Sequence, residues 1–159
     1  MIFIDTSGLN KAIKVLPSLT KGITLRDSAQ DTAKKVGSIN KDQFSSLGRR
    51  GGTPWLPVAD GSGRKPLHKT GALEAAATNP KVNTPNDQVI EITFTGKHSE
   101  LIAVHQFGAL IRRQTKQGSR TIKIPARPIL ALTKKDVDDI TFNIFKNILK
   151  SIVKKLGVS

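Results

Sequence analysis

The chain has three histidines, His68, His98 and His105. No two stand three or four residues apart, the spacing that would place two metal ligands on one helix face. Cysteine is absent, which excludes disulfides, thiolate nucleophiles and cysteine-containing zinc sites. Neither a metal nor a cofactor is expected. The most closely grouped carboxylates, Asp136, Asp138 and Asp139, stand where an apolar helical repeat begins, and read as first-turn residues of a helix rather than an acid/base pair. Thr95-Gly96-Lys97-His98 has the outline of the end of a phosphate-binding loop. It lacks both the upstream glycine and the hydroxyl residue after the lysine. No catalytic residues are assigned, and the expectation is a protein that is not an enzyme.

What the chain does carry is positive charge. It has 26 Lys+Arg against 12 Asp+Glu, a net charge of +14, which favours contact with a polyanion or an acidic protein surface. Residues 40–71 hold six basic residues against two acidic, and residues 100–133 six against one, whereas 72–99 hold two against three. The densest cluster is Arg112, Arg113, Lys116 and Arg120. Arg127 stands between Pro125 and Pro128. A planar five-donor fork on so stiff a segment loses little entropy when it pairs, within its own subunit or across an interface. Trp55, the only tryptophan, reads as a hydrophobic plug holding a loop to the core, with an exposed interface anchor as the alternative. His105 reads as a hydrogen-bonded structural histidine capping a turn, and Gly108 as the hinge after it.

The elements that must position these residues follow from periodicity. At 159 residues a single domain over 1–159 is expected, with an aliphatic core, since only 4% of residues are aromatic and none is tyrosine. No run approaches about 18 apolar residues and the N-terminus has no leader pattern, so the chain reads as soluble, unexported and without a membrane partner. Leu9, Ile13, Leu16 and Leu19, then Leu25, Ala29, Ala33 and Val36, predict a short helix ending near Leu16 and a longer one from about Thr24, with Gly37 as its C-cap. Between 40 and 70 the periodicity disappears among glycines and prolines, which predicts a long basic loop.

Further on, Thr70 to Thr78 predicts a short helix, Val82 and 89–95 a hairpin with Ile90, Ile92 and Phe94 on one face, and Ser99–Phe107 another short helix. Residues 109–111 and 121–124 read as strands flanking a mobile basic loop. Val137, Ile140, Ile144, Ile148, Ile152 and Leu156 predict a terminal helix. The fold class is α+β: an antiparallel sheet of about four strands packed against N- and C-terminal helices, with a long loop.

In order along the chain, Trp55-Leu56-Pro57, Leu67-His68-Lys69-Thr70-Gly71-Ala72-Leu73, His105-Gln106-Phe107-Gly108 and Ile124-Pro125-Ala126-Arg127-Pro128-Ile129-Leu130 together resemble the virion-morphogenesis, or tail-completion, proteins of Mu-like phages and related neck proteins of long-tailed phages. The resemblance implies a structural virion protein that makes the tail competent for head joining. It also implies a homo-oligomeric ring, a hexamer or dodecamer, touching other neck, tail or connector proteins and made in the host cytoplasm. In such a ring Arg112, Arg113, Lys116 and Arg120 would face the channel and touch genomic DNA without reading its sequence. A free basic DNA-binding protein is the alternative.

Overall fold

The computed structural model describes residues 2–4, 25–59, 61–85, 89–115 and 118–155. The helix expected to end near Leu16, part of the turn at Asn86 and Asp87, Lys116 and Leu156 lie outside the described residues. The elements are β1 (Ile2–Ile4), α1 (Arg26–Ser45), a 3-10 turn (Arg49–Gly51), α2 (Ala72–Thr78), β2 (Lys81–Asn83), β3 (Ile90–Thr93), α3 (Leu101–Phe107), β4 (Ala109–Thr115), β5 (Gly118–Ile124) and α4 (Lys134–Lys155). The chain divides into two compact units. One comprises Met1–Val36, Pro80–Phe94 and Thr133–Ser159, the other Gly37–Asn79 and Thr95–Leu132.

The fold is α+β, as expected, but the strands form two antiparallel sheets rather than one. In the first unit β3 is the central strand. It pairs with β1 through Ile2↔Ile92 and Ile4↔Ile90, and with β2 through Lys81↔Thr93 and Asn83↔Glu91. Ile90 and Ile92 are fully buried while Glu91 and Thr93 stay half-exposed, the alternation of a sheet with one covered face. Ala29, Ala33 and Val36 of α1 and Ile140, Ile144 and Ile148 of α4 are buried in this same unit.

Helix α4 begins at a capping box. Thr133 N and Oγ1 donate to Asp136 Oδ2 at 2.8 and 2.6 Å, and Asp136 N donates to Thr133 Oγ1 at 3.2 Å. This is why Asp136 is buried although charged. The opposite face of α4 presents Phe142, Phe145, Leu149 and Val153 exposed, so the helix carries a second apolar stripe that the unit does not cover.

In the second unit α1 continues through Gly37, where its end was expected, to Ser45. Its buried face changes chemistry there: Ile39 and Phe44 alternate with Asn40 and Gln43, all essentially inaccessible. Asn40 Nδ2 donates to Ala77 O at 2.8 Å. Polar residues on the inward stripe hide it from an apolar pattern, so the loop starts at Ser46 rather than Asn40. Strands β4 and β5 are longer than expected, with a register running from Ala109↔Ile124 to Thr115↔Gly118.

Candidate functional site

The irregular segment 125–131 forms no sheet or helix, so its backbone groups need other partners. Side chains and one helix carbonyl supply them. Trp55 Nε1 and Gln43 Nε2 donate to Pro128 O at 3.0 and 2.8 Å. Gln106 Oε1 accepts from both Ile129 N and Leu130 N at 2.9 Å, and its Nε2 donates to Leu130 O at 3.2 Å. Arg50 Nη1 donates to Ala131 O at 2.9 Å, and Arg127 N donates to His105 O at 2.6 Å. Ile129, inside this strap, is completely buried.

Trp55 is the plug and not an exposed anchor: it is buried, edge-on to Phe44 with ring centroids 5.1 Å apart and planes at 86°. The guanidinium of Arg127 is paired within its own chain. Nε donates to Leu56 O and Nη2 to Pro57 O, both at 3.0 Å, so the arginine ties the strap to the loop that follows Trp55. Among the described residues no carboxylate pairs with it. Burial lowers its pKa below the usual value of an arginine. Gly108 ends α3 at φ 74° and ψ 169°, and a Cβ there would lie 2.9 Å from Ile124 O.

Beside the strap the second unit opens a pocket of about 610 Å³. Its walls include Leu67, Leu73, Leu101, Ile124 and Pro125, and Lys69, Lys123, His105 and Arg127 are among the residues lining it. His105 therefore differs from its expected role as a hydrogen-bonded cap. It lines this pocket, Nδ1 is buried without a partner, and its backbone carbonyl accepts from Arg127 N. Non-glycine residues with positive φ are Leu47, Leu67 and His98 among the described residues, and the last two line the pocket.

Of the basic cluster, Arg112 and Arg113 lie in β4 and Arg120 in β5, so they sit on paired strands and not on a mobile loop. The register sorts them by face. Arg113 stands directly opposite Arg120, on the face of Ile111 and Ile122, while Arg112 stands opposite Thr121 on the other face with Lys123. Nearly the whole hairpin is exposed, including Leu110 at 72% and the neighbouring Phe107 at 81%.

The sequence model of the phage virion morphogenesis family matches residues 4–150. The chain belongs to that family. No curated protein and no solved structure matches it. The four stretches that carry the resemblance to virion morphogenesis proteins all fall in the second unit. There Trp55, Gln106, Gly108 and Arg127 build the strap and its supports, while Lys69 and Leu73 line the pocket. Gln43, which donates to Pro128 O, is a support of the strap that sequence reasoning missed; its only signal was a spacing that continues the buried stripe from Val36. Among the described residues no cluster of His, Asp or Glu could hold a metal ion, and no helix is long and apolar enough to cross a membrane.

Burial, and secondarily the positive charge of Arg127, lowers the pKa of His105 from its ordinary 6.5. The unfolded chain therefore takes up this proton at a higher pH than the folded one, so stability falls as pH drops through 6.5 and is unaffected well above it. His105→Gln should remove that dependence. Urea midpoints of wild type and variant should run parallel above about pH 7, with wild type losing ground below about pH 6. Midpoints that stay parallel to low pH would contradict the assignment.

Proposed function

We propose that this virion morphogenesis protein is a tail-completion or neck component that assembles as a ring at the head–tail junction. There it makes the tail competent to join the filled head. It acts by shape and association, with no catalysis, in the virion after assembly in the host cytoplasm. The observation that carries the reading is the β4–β5 hairpin. It pairs two arginines across its strands and leaves Leu110, Ile111 and Ile122 exposed. Like charges directly opposite each other destabilise an isolated hairpin, and exposed apolar side chains do nothing for a monomer. Both features become favourable when a neighbouring subunit covers the apolar residues and an anion neutralises the arginines. The uncovered stripe of α4 supports association in the same way.

In a ring the hairpins would line the channel, where Arg112, Arg113, Lys116 and Arg120 meet DNA phosphates regardless of sequence. Replacing all four with glutamine is expected to leave the monomer folded, since the three described arginines are exposed, and to impair particle assembly or DNA passage. Fully infectious particles from the quadruple variant would refute the role. The alternative, a free DNA-binding protein, rests on the same arginines. It requires salt-dependent duplex binding by the monomer, and no binding at low salt removes it.

A further inference from the structure

The pocket of the second unit has chemistry that the strap does not need. Arg127 is only 7% exposed and lines it, yet two backbone carbonyls are its side-chain partners and no carboxylate of the described residues balances its charge. Lys69 and Lys123 stand at the same pocket, exposed, and make no ion pair among the described residues. His105 Nδ1 is a buried ring nitrogen lacking a partner. A buried cation without a counter-ion, set among apolar walls that keep the local dielectric low, makes the cavity a concentrated positive potential.

The walls restrict what could answer that charge. Leu67, Leu73, Leu101, Ile124 and Pro125 offer an apolar concavity. A phosphodiester backbone presents no apolar side chain to fill it, and a small inorganic anion would leave most of it unfilled. A short stretch of peptide with apolar side chains fits such a space. Next to it, β5 pairs on one side with β4 and has no strand partner on the other among the described residues, and its last residues, Lys123 and Ile124, line the pocket. An open strand edge leading into a side-chain pocket is the arrangement by which sheets capture extended peptides.

We propose that this pocket, together with the open edge of β5, docks an extended peptide segment of a partner protein that carries a carboxylate next to an apolar side chain. The apolar side chain enters between Leu73 and Leu101, and the carboxylate meets Lys69 and Lys123 with the charge of Arg127 behind them. This site goes beyond ring formation and does not depend on it, because it is complete within one chain.

The test uses the purified full chain and fluorescence anisotropy with three labelled probes: a short peptide of alternating leucine and aspartate, its leucine and serine counterpart, and a single-stranded oligonucleotide. The acidic peptide is expected to bind, and Lys69→Glu with Lys123→Glu to weaken it by at least about tenfold. Because a chain of charge +14 attracts any anion, the control is Lys146→Glu with Lys150→Glu, two exposed positions of α4 that belong neither to the pocket nor to β5. It removes the same charge outside the pocket and should change peptide affinity by no more than about twofold. Circular dichroism and melting of both double variants check that each remains folded. Equal losses from the two double variants, binding of the serine peptide as tight as the acidic one, no peptide binding at all, or pocket-dependent binding of the oligonucleotide alone would each overturn the proposal.

Discussion

Trp55→Ala is expected to lower the thermal midpoint by on the order of 10 °C, corresponding to about 3–5 kcal/mol for removing a buried indole. The ring is only 6% exposed, packs edge-on against the fully buried Phe44, and donates from Nε1 to Pro128 O. Its loss leaves a cavity beside Phe44 and frees the loop that carries Leu56 and Pro57, the carbonyl partners of Arg127. Trp55→Phe separates the contributions. It keeps most of the apolar surface, and Pro128 O still receives Gln43 Nε2, so the lost hydrogen bond should cost about 1 kcal/mol. Differential scanning calorimetry of the two variants checks this. Nearly equal losses would show that the hydrogen bond, not the packing, holds the loop.

Gly108→Ala is the second large effect, at about 3 kcal/mol or more. At φ 74° and ψ 169° the residue occupies a region essentially reserved for glycine. A Cβ would also press against Ile124 O at 2.9 Å and Ala126 N at 3.0 Å, both backbone atoms that cannot rotate away. Gly52 is the control. Its φ is also positive, at 88°, but nothing lies within 4 Å of its Cβ position, so Gly52→Ala should cost only about 1 kcal/mol. Chemical denaturation midpoints measure the difference. If the two alanines cost the same, conformational preference alone explains Gly108 and the close approach to the strap is unimportant.

The parts of the fold that could be read from the sequence are those where local pattern and burial agree. Ile140, Ile144 and Ile148 recur every four residues and are the buried face of α4. Ile90 and Ile92 alternate with Glu91 and Thr93 because one face of their sheet is covered. Patterns failed where polar groups do the packing. Asn40 and Gln43 occupy the inward stripe of α1, so the helix outruns its apolar signal.

The arginines misled in the opposite direction. A run of Arg112, Arg113 and Arg120 reads as a loop by polarity, yet backbone pairing carries β4 and β5 through it, and what looks like a solvated turn is a charged two-stranded ribbon. The candidate site was legible as residues but not as an arrangement. Trp55, His105, Gly108 and Arg127 are each visible in the sequence. That Arg127 bonds the carbonyls of Leu56 and Pro57 depends on contacts some 70 residues apart, which no local pattern encodes.

The central proposal, supported by membership of the virion morphogenesis family and by the exposed arginine-bearing hairpin, is that the protein works at the junction where a finished tail meets a filled head. Electron microscopy of lysates from phage lacking this protein tests it most directly. The account predicts DNA-filled heads and separate tails that do not join, rescued by the wild-type chain supplied in trans. Joined, infectious particles in its absence would contradict it.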